Sequence, residues 1–425
     1  MLDLKFIAEN PDLVKEGCRK KRKDIDIDKI IELDSDRRTL IADIDALRSR
    51  QNEVSKEIPQ KSDKEKEALL TEMKDLKENL KMKEQELEDL VEVLDELVIQ
   101  VPNPPFDEVP EGEDDEDNKI ERTFGDPRKF KFEPKDHLTL GKDLDILDME
   151  KAAEASGARF YYVKNDLVLL EFALIQYALS KITAKGFKPI LPPALVREHA
   201  MVGTGFFPAD KNEIYNVNPE DDNLFLIGTS EVPLCMLHYD EILEADKLPL
   251  RYCAFSPCFR REAGSYGKDT HGIIRVHQFD KIEMFSFCHP DKSREEHDLI
   301  VEIEEDIVQG LELPYQVVNV CGGDLGDPAA IKYDLEAWIP TQGKFREITS
   351  ASNTTNYQSR RSKIRFKDND GKKDYIHTLN GTGIAMPRMF VAILENYQNE
   401  DGSVTIPEVL RPYMGGKEKI EKNSL

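Results

Sequence analysis

The chain has 425 residues, of which 39% are hydrophobic and 34% charged, and its formal net charge at pH 7 is -25. This length and composition exclude a chain that is disordered throughout, and they predict two or more domains, each with its own core. The net charge argues at first sight against a nucleic-acid partner. A local basic surface can still bind phosphate, however, so the charge of each segment has to be considered separately.

The six cysteines include no CxxC pair, and Cys253 and Cys258 are the only two that lie close in sequence. Such spacing is typical of inert thiols in a reducing compartment rather than of a disulfide framework or a metal site. The N-terminal segment MLDLKFIAENPDLVKEG has no apolar stretch of signal-peptide length, and no window of about twenty apolar residues occurs in the chain. We therefore expect a cytoplasmic protein that is not inserted in a membrane.

Residues 28–98 carry the clearest periodicity in the chain. Fifteen of eighteen heptad a and d positions are apolar, counted from Ile30 in a first series and from Leu69 in a second. Between the two series, the segment EIPQKSDKEK contains Pro59 and a Ser-Asp start signal, which end one helix and begin another. The pattern predicts two antiparallel helices of a coiled coil, each on the order of 45 Å long.

The charge of this coiled coil is uneven. Residues 26–98 hold 13 Lys or Arg against 22 Asp or Glu, whereas residues 48–83 hold 10 against 8. The basic side chains therefore gather toward the tip, which is compatible with a bound polyanion. The alternative, a coiled coil that only dimerises or spaces other parts, stays open from this segment alone. The candidate contacts for a polyanion are Arg48, Arg50, Lys56, Lys61, Lys64 and Lys66.

A proline-rich, acidic segment, VPNPPFDEVPEGEDDEDNK, follows the periodic region and predicts a domain boundary near residues 100–115. Amphipathic helices are then predicted at 142–156 and 166–185, the second ending at a glycine. Short strand-like runs recur between turn signals from FKPILPP to GKFREITSASN, and this arrangement predicts an α+β domain.

The stretch CFRREAGSYGKDTHGIIRVHQFDKIEMF predicts a hairpin with AGSYGKDTHG as its turn. Strand alternation would place Arg275, His277, Phe279, Lys281 and Glu283 on one face, beside Arg260 and Glu262 from the partner strand. A salt-bridged solvent face is the alternative interpretation of this segment.

Three further segments carry polar groups next to apolar runs. LIGTSEVP places Thr229 and Glu231 two residues apart, hence on one side of an extended chain. FREITSASN carries Glu347 and Ser350, whose oxygens are ligands of the kind that hard cations prefer. TLNGTGIAMPRMFVAILEN predicts a Gly-rich turn that leads into an apolar helix, with Pro387 at the helix start and Arg388 in its first turn.

These segments together resemble the class II aminoacyl-tRNA synthetases. FRRE with the strand ending in Glu283 is similar to motif 2, NGTGIAMPR to motif 3, and GFKPILPP, closed by Pro193, to motif 1. The TSE triplet, EITSASN, YDLEAW and the N-terminal heptads resemble the seryl-tRNA synthetases in particular. The resemblance covers essentially the whole chain, with the motifs in the expected order.

The resemblance implies an N-terminal antiparallel coiled-coil arm, followed by a catalytic domain with a mostly antiparallel sheet flanked by helices. Residues 1–105 would form the tRNA-binding domain and residues 106–425 the aminoacylation domain. The implied enzyme is a homodimeric serine–tRNA ligase that joins L-serine to ATP, giving seryl-adenylate, and then transfers serine to the 3′ end of tRNA(Ser). Whether tRNA(Sec) is also a substrate stays open.

The resemblance also assigns site residues to this chain. Arg260 and Arg388 would act on the phosphates as catalytic residues, Phe279 would stack on adenine, and Glu347 with Ser350 would hold Mg²⁺. The implied ATP-binding set is Arg260, Arg261, Glu262, Val276, Phe279, Glu347, Ile348, Thr349, Ser350 and Arg388. The implied serine-binding set is Thr229, Ser230, Glu231, Arg260, Glu283, Asn380 and Thr382.

Some positions depart from the common family pattern. Arg261 replaces the usual serine of RSE and has no role of its own, and Thr382 and Pro387 stand where Ser and Gly are commoner. Two other functions stay open beside the ligase: a serine-activating enzyme that loads a carrier protein, and a non-catalytic RNA-binding paralogue. The first would lack the arm, and the second would have lost one of the charged site residues.

Overall fold

A computed structural model describes residues 2–263 and 272–422, and these divide between two compact units, Met1–Pro104 and Pro105–Leu425. The turn expected at AGSYGKDTHG falls mostly outside the described residues, as do Tyr266 and His271. The first unit contains the helices α1 Leu4–Glu9, α2 Pro11–Lys20, α3 Ile27–Glu57 and α4 Asp63–Val98.

Helices α3 and α4 form the predicted antiparallel coiled coil. All eighteen heptad positions are buried or half-buried, so the a and d stripes of the two helices face each other. Ion pairs across the helices confirm the antiparallel direction, since Asp43 of α3 pairs with Lys83 of α4 at 2.8 Å, while Arg50, later in α3, pairs with Glu72, earlier in α4, at 2.8 Å. A capping box at Ser62 begins α4, as the start signal predicted.

The second unit has helices and strands in a mixed order. Its helices are α5 His137–Asp143, α6 Met149–Ser156, α7 Asp166–Ala184, α8 Glu198–Thr204, α9 Glu231–Cys235, α10 Ser293–Gly310, α11 Tyr357–Arg361 and α12 Met386–Asn396. Its strands are β1 Lys119–Phe124, β2 Leu147–Asp148, β3 Tyr162–Val163, β4 Lys188–Ile190, β5 Leu195–Arg197, β6 Asn216–Val217, β7 Leu224–Leu226, β8 Ile242–Glu244, β9 Leu250–Phe259, β10 Gln278–Cys288, β11 Tyr315–Asn319, β12 Ile331–Ile339, β13 Lys344–Asn353, β14 Arg365–Lys367, β15 Lys373–Tyr375, β16 His377–Ala385, β17 Val404–Thr405 and β18 Lys419–Ile420.

The central sheet, among the described residues, has eight strands in the order β1-β11-β12-β13-β16-β10-β9-β4. Every neighbouring pair is antiparallel except β4 with β9, which is parallel. This topology confirms the predicted α+β class with a mostly antiparallel sheet. The predicted hairpin is formed by β9 and β10, with Gln278 opposite Phe259 at its described end.

Side-chain alternation separates the two faces of this sheet. Ile282 and Met284 of β10 belong to the main hydrophobic core, together with apolar residues of α7, α10 and α12. Phe279, Lys281 and Glu283 of the same strand lie on the opposite face and line an open cleft. Since strand side chains alternate, the main core covers one face. On the other face, Phe285 and Phe287 are buried in a second apolar cluster, and the part beside Phe279, Lys281 and Glu283 is open to a ligand.

The segment NGTG is a strand and not the turn that its glycines predicted. Gly381 and Gly383 lie inside β16, and neither has a positive φ. A Cβ on Gly381 would lie 2.2 Å from Ile300 Cγ2 of α10, and one on Gly383 would lie 2.7 Å from Ile182 Cδ1 of α7. These glycines therefore permit close packing of the two helices on the sheet.

The helix predicted at 142–156 is also wrong in its extent. The structure has α5 up to Asp143, the short strand β2 and then α6, with Asp145 at a φ of 57° between them. Leu147 pairs with Val163 of β3, and this tertiary pairing interrupts the amphipathic pattern. The second predicted helix is confirmed as α7, which ends before Gly186.

Helix α7 is, among the described residues, the one helix that is long and apolar enough by length and composition to cross a membrane. Its inner face, which includes Leu167, Leu170 and Ile182, is fully buried in the core of the second unit. Core helices pass the same test of length and composition, so α7 is accounted for by its packing.

Candidate active site

A cleft of about 400 Å³ opens on the face of the sheet opposite the main core, between β10, β13, β16 and the start of α12. This volume lies in the usual range for small-molecule sites. Fourteen of the residues implied by the resemblance line it: Thr229, Glu231, Arg260, Glu262, Val276, Phe279, Glu283, Glu347, Ile348, Thr349, Ser350, Asn380, Thr382 and Arg388.

Two implied residues do not line this cleft. Ser230 is fully buried, and its hydroxyl donates to the carbonyl of Ala254 at 3.5 Å. Arg261 is exposed, and its backbone N–H donates to the carbonyl of Glu213 at 2.8 Å. Ser230 therefore contributes to the shape of the wall, while Arg261 fixes the backbone beyond the end of β9.

Arg260 and Phe279 face each other across the β9–β10 hairpin. The guanidinium carbon of Arg260 lies 5.3 Å from the centroid of the Phe279 ring, within the range of a cation–π contact. Its Nε donates to the Gly228 carbonyl at 3.2 Å, which leaves the terminal nitrogens directed into the cleft. The pair offers an aromatic face and a cation next to each other.

Glu262 and Arg275 form a second pair at this end of the cleft. Arg275 Nη1 lies 2.7 Å from Glu262 Oε2, and the Glu262 backbone has a φ of 51°. Such a conformation is uncommon for a residue with a side chain and marks a tight local constraint. The ion pair joins the residue that follows β9 to the segment that leads into β10.

Arg388 and Glu347 form an ion pair at the other end of the cleft, with Nη1 and Oε1 2.6 Å apart. Proline stands at the start of α12, as predicted, and Arg388 follows it in the first turn. Burial opposes the charge of Glu347, but Arg388 and then Lys332 outweigh it and lower the pKa of this carboxyl to about 2. Glu347 is therefore anionic at neutral pH and, at 42% side-chain exposure, open to a further cation.

Glu283 and Thr382 meet on adjacent strands deep in the cleft. They are paired across β10 and β16, and Thr382 Oγ1 lies 3.3 Å from Glu283 Oε2. Lys281 forms a close ion pair with the same carboxylate, and both side chains are almost fully buried. A desolvated carboxylate held between a hydroxyl and an ammonium is well suited to accept a hydrogen bond from a small polar ligand.

Glu231 lies beside this pair and is held by two amides. Gln358 Nε2 donates to Glu231 Oε1 at 2.6 Å, and Asn380 Nδ2 donates to the same oxygen at 2.9 Å. Burial, and then the nearby charge of Glu283, raise the pKa of Glu231 to about 7. This carboxyl therefore changes its charge near neutral pH, and a ligand cation would favour its ionised form.

Three residues at this site have no role in the sequence interpretation: Lys281 and Lys332 line the cleft, and Gln358 holds Glu231 without lining it. Lys281 was placed on the correct face of β10 but without a function, and Lys332 and Gln358 were missed. Lys332 directly precedes the YDLEAW segment, and a lysine next to apolar strand residues was the available signal. Gln358 lies on α11, shortly after the EITSASN segment but 127 positions from Glu231, and nothing local indicated this contact.

The free cysteines and the acidic clusters do not indicate a resident metal. In the described ranges 2–263 and 272–422, no group of three or more His, Cys, Asp or Glu side chains is arranged to hold a metal ion. All six cysteines are free and buried.

The antiparallel sheet, with one arginine at the end of β9 and another at the start of α12 in one cleft, defines a class II aminoacyl-tRNA synthetase. A family model described as the tRNA synthetase class II core domain (G, H, P, S and T) matches residues 215–397. A second model, the seryl-tRNA synthetase N-terminal domain, matches residues 1–105.

Proteins that are similar over nearly the whole chain indicate which amino acid's synthetases this class II enzyme is related to. Serine–tRNA ligase 1 of Streptomyces avermitilis is 49% identical over 426 residues, covering 99% of each chain, and serine–tRNA ligase of Thermobifida fusca is 48% identical over 98% of each. The crystal structure of seryl-tRNA synthetase from Pyrococcus horikoshii complexed with ATP has a TM-score of 0.93 and 42% identity, covering 100% of both chains. The chain belongs to the seryl-tRNA synthetases, the serine–tRNA ligases of class II.

Proposed function

We propose that this enzyme activates L-serine with ATP and transfers the seryl group to the 3′ end of tRNA(Ser). One observation carries the proposal: the Arg260–Phe279 pair, Arg388 and the Glu283–Thr382 pair share one cleft. The Arg260–Phe279 pair and Arg388 provide the ring and the cations that a nucleoside triphosphate needs. The Glu283–Thr382 pair provides hydrogen-bonding groups for a small hydroxylated amino acid.

In the first step the serine carboxylate attacks the α-phosphorus of ATP. The new bond joins a carboxylate oxygen to phosphorus, the bond to the bridging oxygen breaks, and pyrophosphate leaves. The nucleophile is already ionised at pH 7, so the main difficulty is to bring two anions together. Arg260 would contact the α-phosphate and the serine carboxylate, and Arg388 would hold the γ-phosphate of a bent ATP.

The adenine end of ATP is assigned to the β9–β10 hairpin. Phe279 would stack on one face of the base, with Arg388 on the other, and Glu262 would accept a hydrogen bond from the adenine amino group. The implied set also contains Val276, Ile348 and Thr349, which line the cleft, and Arg261, for which no contact with ATP is assigned.

Magnesium fits the oxygen groups of this cleft. Glu347 is anionic because of its lowered pKa, it keeps exposure to the cleft, and Ser350 lines the same region. Two protein oxygens suit Mg²⁺, which usually takes its remaining ligands from phosphates and water. When bound there, the ion would neutralise phosphate charge, while Glu347 would keep Arg388 oriented toward the nucleotide.

Serine selection is assigned to Glu283, Thr382 and the Glu231 region. Glu283 and Thr382 would bind the serine hydroxyl, with Asn380 nearby, while Thr229 and Glu231 would receive the α-amino group. A site built to hydrogen-bond a substrate hydroxyl can reject an analogue that lacks the hydroxyl by about 10⁴ or more. Threonine would be excluded by the limited space in this pocket.

The second step moves the seryl group to a tRNA hydroxyl, with release of AMP. We assign tRNA binding to residues 1–105 and aminoacylation to residues 106–425. The arm of α3 and α4 would contact the backbone of tRNA(Ser), because RNA shape is read largely through phosphates and 2′-hydroxyls. Arg48 and Arg50 are 55% and 43% exposed although they pair with acidic residues, so they remain accessible to phosphate. The other assigned contacts are Lys56, Lys61, Lys64 and Lys66.

The homodimer is part of the proposal because the second unit exposes an apolar surface. Leu169 and Phe172 on α7, together with Leu191 after β4, are 52%, 58% and 81% exposed. β4 is also the edge strand of the central sheet, with backbone groups available to a partner. We assign this surface to contact with a second copy of the chain. The buried free thiols favour a reducing compartment, and we propose that the enzyme is cytoplasmic.

Amino-acid-dependent ATP–pyrophosphate exchange, measured with each of the twenty amino acids, tests the proposal. Serine should support exchange, and no other amino acid should exceed it. A lack of exchange with serine, or faster exchange with another amino acid, would refute the assignment. Charging of tRNA(Ser), with tRNA(Sec) and a carrier protein as alternative acceptors, then identifies the second substrate.

A further inference from the structure

A buried histidine links α5 to α12 behind the cleft. His137 is 2% exposed and Glu395 is fully buried, and His137 Nδ1 lies 2.8 Å from Glu395 Oε1. The backbone N–H of His137 donates to the same oxygen at 3.2 Å. Thr341 donates to the other oxygen through its N–H at 3.2 Å and its hydroxyl at 2.6 Å. Four donors therefore fix this carboxylate, and it fixes the imidazole ring.

The other ring nitrogen accepts a hydrogen bond from the chain that enters β10. The backbone N–H of Ile273 donates to His137 Nε2 at 3.3 Å. Because Nε2 must be unprotonated to accept this bond, the proton of the neutral ring lies on Nδ1, where it faces Glu395. The two contacts thus select one tautomer, and the buried Ile273 amide has no need of a water partner.

Gly272 brings the backbone against this ring. Its φ is +88°, and a Cβ added to it would lie 2.2 Å from His137 Nε2. Both the positive φ and the close approach favour glycine here. The position of the imidazole therefore determines where the segment from Gly272 onward begins.

This segment forms one wall of the cleft. Ile274, Arg275 and Val276 line it, and Arg275 is paired with Glu262 on the far side of the hairpin. The Glu283–Thr382 pair, in contrast, is held by the register of two long strands. A change at His137 should therefore alter the nucleotide end of the cleft more than the serine end.

We propose that His137 is a positioning residue for ATP, oriented by Glu395 and holding residues 272–276 through the Ile273 amide. His137 has no contact with ATP in this proposal, and the inference rests on the proposed function of the cleft. Its effect is on the shape of the wall that carries Arg275 and Val276.

Two substitutions separate this role from simple stabilisation. Gln reaches as far as Nε2 and can accept from Ile273, whereas Asn reaches only as far as Nδ1 and can bond Glu395 alone. In His137→Asn the buried Ile273 amide loses its acceptor, so we expect KM for ATP in serine-dependent exchange to rise about tenfold. KM for serine should stay within about twofold, and His137→Gln should recover most of the ATP effect.

The matched control is His297, which is also 2% exposed and bonds a backbone carbonyl, that of Ala351, at 3.0 Å. His297→Asn removes a buried imidazole behind the same sheet without touching the segment. Amide hydrogen exchange of a peptide covering 272–278 provides a readout that does not depend on catalysis. It should accelerate in His137→Asn but not in His137→Gln or His297→Asn.

The relative effects of the His137 and His297 variants decide whether His137 positions the wall of the cleft. Equal effects of His137→Asn and His137→Gln, or an equal ATP-selective effect of His297→Asn, would overturn it. If His137→Asn does not fold, Glu395→Gln provides the second test. Loss of the carboxylate should raise KM for ATP selectively, although less than His137→Asn would. An unchanged KM for ATP in Glu395→Gln would overturn the inference. Absence of exchange in the unmodified enzyme would refute the proposed function, while hydrogen exchange at 272–278 would still decide the contact itself.

Discussion

Arg388 Nη1 and Glu347 Oε1 lie 2.6 Å apart, joining the first turn of α12 to strand β13 across the cleft. The pair keeps both side chains charged, because each partner favours the ionised form of the other. The cation and the carboxylate therefore fix each other's side-chain position in the cleft.

Replacement of Arg388 tests this arrangement. Arg388→Ala should lower kcat/KM for ATP in pyrophosphate exchange by about 10²–10³, the usual effect of removing a group that stabilises transition-state charge. Arg388→Lys should remain impaired, because an ammonium lacks the planar fork that binds two phosphate oxygens. Arg122→Ala, at the exposed edge strand β1 where Arg122 pairs with Glu305, is the control and should be close to wild type. Equal activity of all three variants would contradict the role of Arg388.

Thr382 offers a nearly isosteric test of serine recognition. Thr382→Ser keeps the hydroxyl next to Glu283 and should change KM for serine by less than about threefold, whereas Thr382→Val removes it and should raise KM about tenfold or more. The measurement is exchange at varied serine with saturating ATP. A Val variant that binds serine as well as the Ser variant does would exclude the hydroxyl from recognition.

The raised pKa of Glu231 predicts a pH dependence. With a pKa of about 7 in the absence of serine, this carboxyl is mostly protonated at pH 6 and mostly ionised at pH 8. The serine ammonium favours the ionised form, so KM for serine should fall about tenfold from pH 6 to pH 8. Glu231→Gln should bind serine more weakly and lose this dependence. A wild-type KM that is flat across this range would show that Glu231 does not bind the ammonium in its charged form.

Deletion of the arm should separate the two reaction steps. Removal of residues 30–96, with a short flexible connection, takes away most of α3 and α4 but leaves the whole second unit. Serine-dependent exchange should persist, while charging of tRNA(Ser) should be lost together with the basic contacts to the RNA backbone. Normal charging by the shortened protein would refute the assignment of tRNA binding to the arm.

A charge on the exposed apolar surface should affect the oligomeric state. Phe172→Asp places a carboxylate on α7 where the ring is 58% exposed, and burial of that charge in an interface would be costly. Sedimentation should show a shift from dimer to monomer. Ile120→Asp, 56% exposed on the opposite edge strand of the sheet, should stay dimeric. A dimer in both variants would place the interface elsewhere.

Much of the fold could be predicted because its signals are local. The heptads counted from Ile30 and Leu69 correctly predicted the two helices of the arm and their packing stripes, and the strand-like runs correctly predicted the long strands β9, β10, β12 and β13. Predictions failed where tertiary contacts overrode local preference. Gly381 and Gly383 indicated a turn but lie in a central strand, because helices α7 and α10 pack too closely for a Cβ.

The residues of the candidate site could be predicted from the sequence where they lie within short motifs. The TSE, FRRE, EITS and motif-3 segments, together with the strand ending in Glu283 and the residues leading into it, supplied fourteen residues that line the cleft. Gln358 could not be inferred in the same way, because it bonds Glu231 from 127 positions away in the chain. Lys332 acts on Glu347 through its charge from the neighbouring strand β12, and no motif marked that position. The link from His137 to Ile273 spans 136 positions in the chain and gives no local signal.

The sequence by itself determined the helical arm, most of the long strands of the sheet, and the residue types that phosphate, a hard cation and a hydroxyl would need. Periodicity and motif spacing are properties of neighbouring residues, so they can be read without a structure. Only the tertiary structure decided which of these groups share a cleft, which carboxyls are buried, and in which direction their pKa values move. Those properties depend on desolvation and on charges brought together from distant segments, as at Glu231 and Glu347.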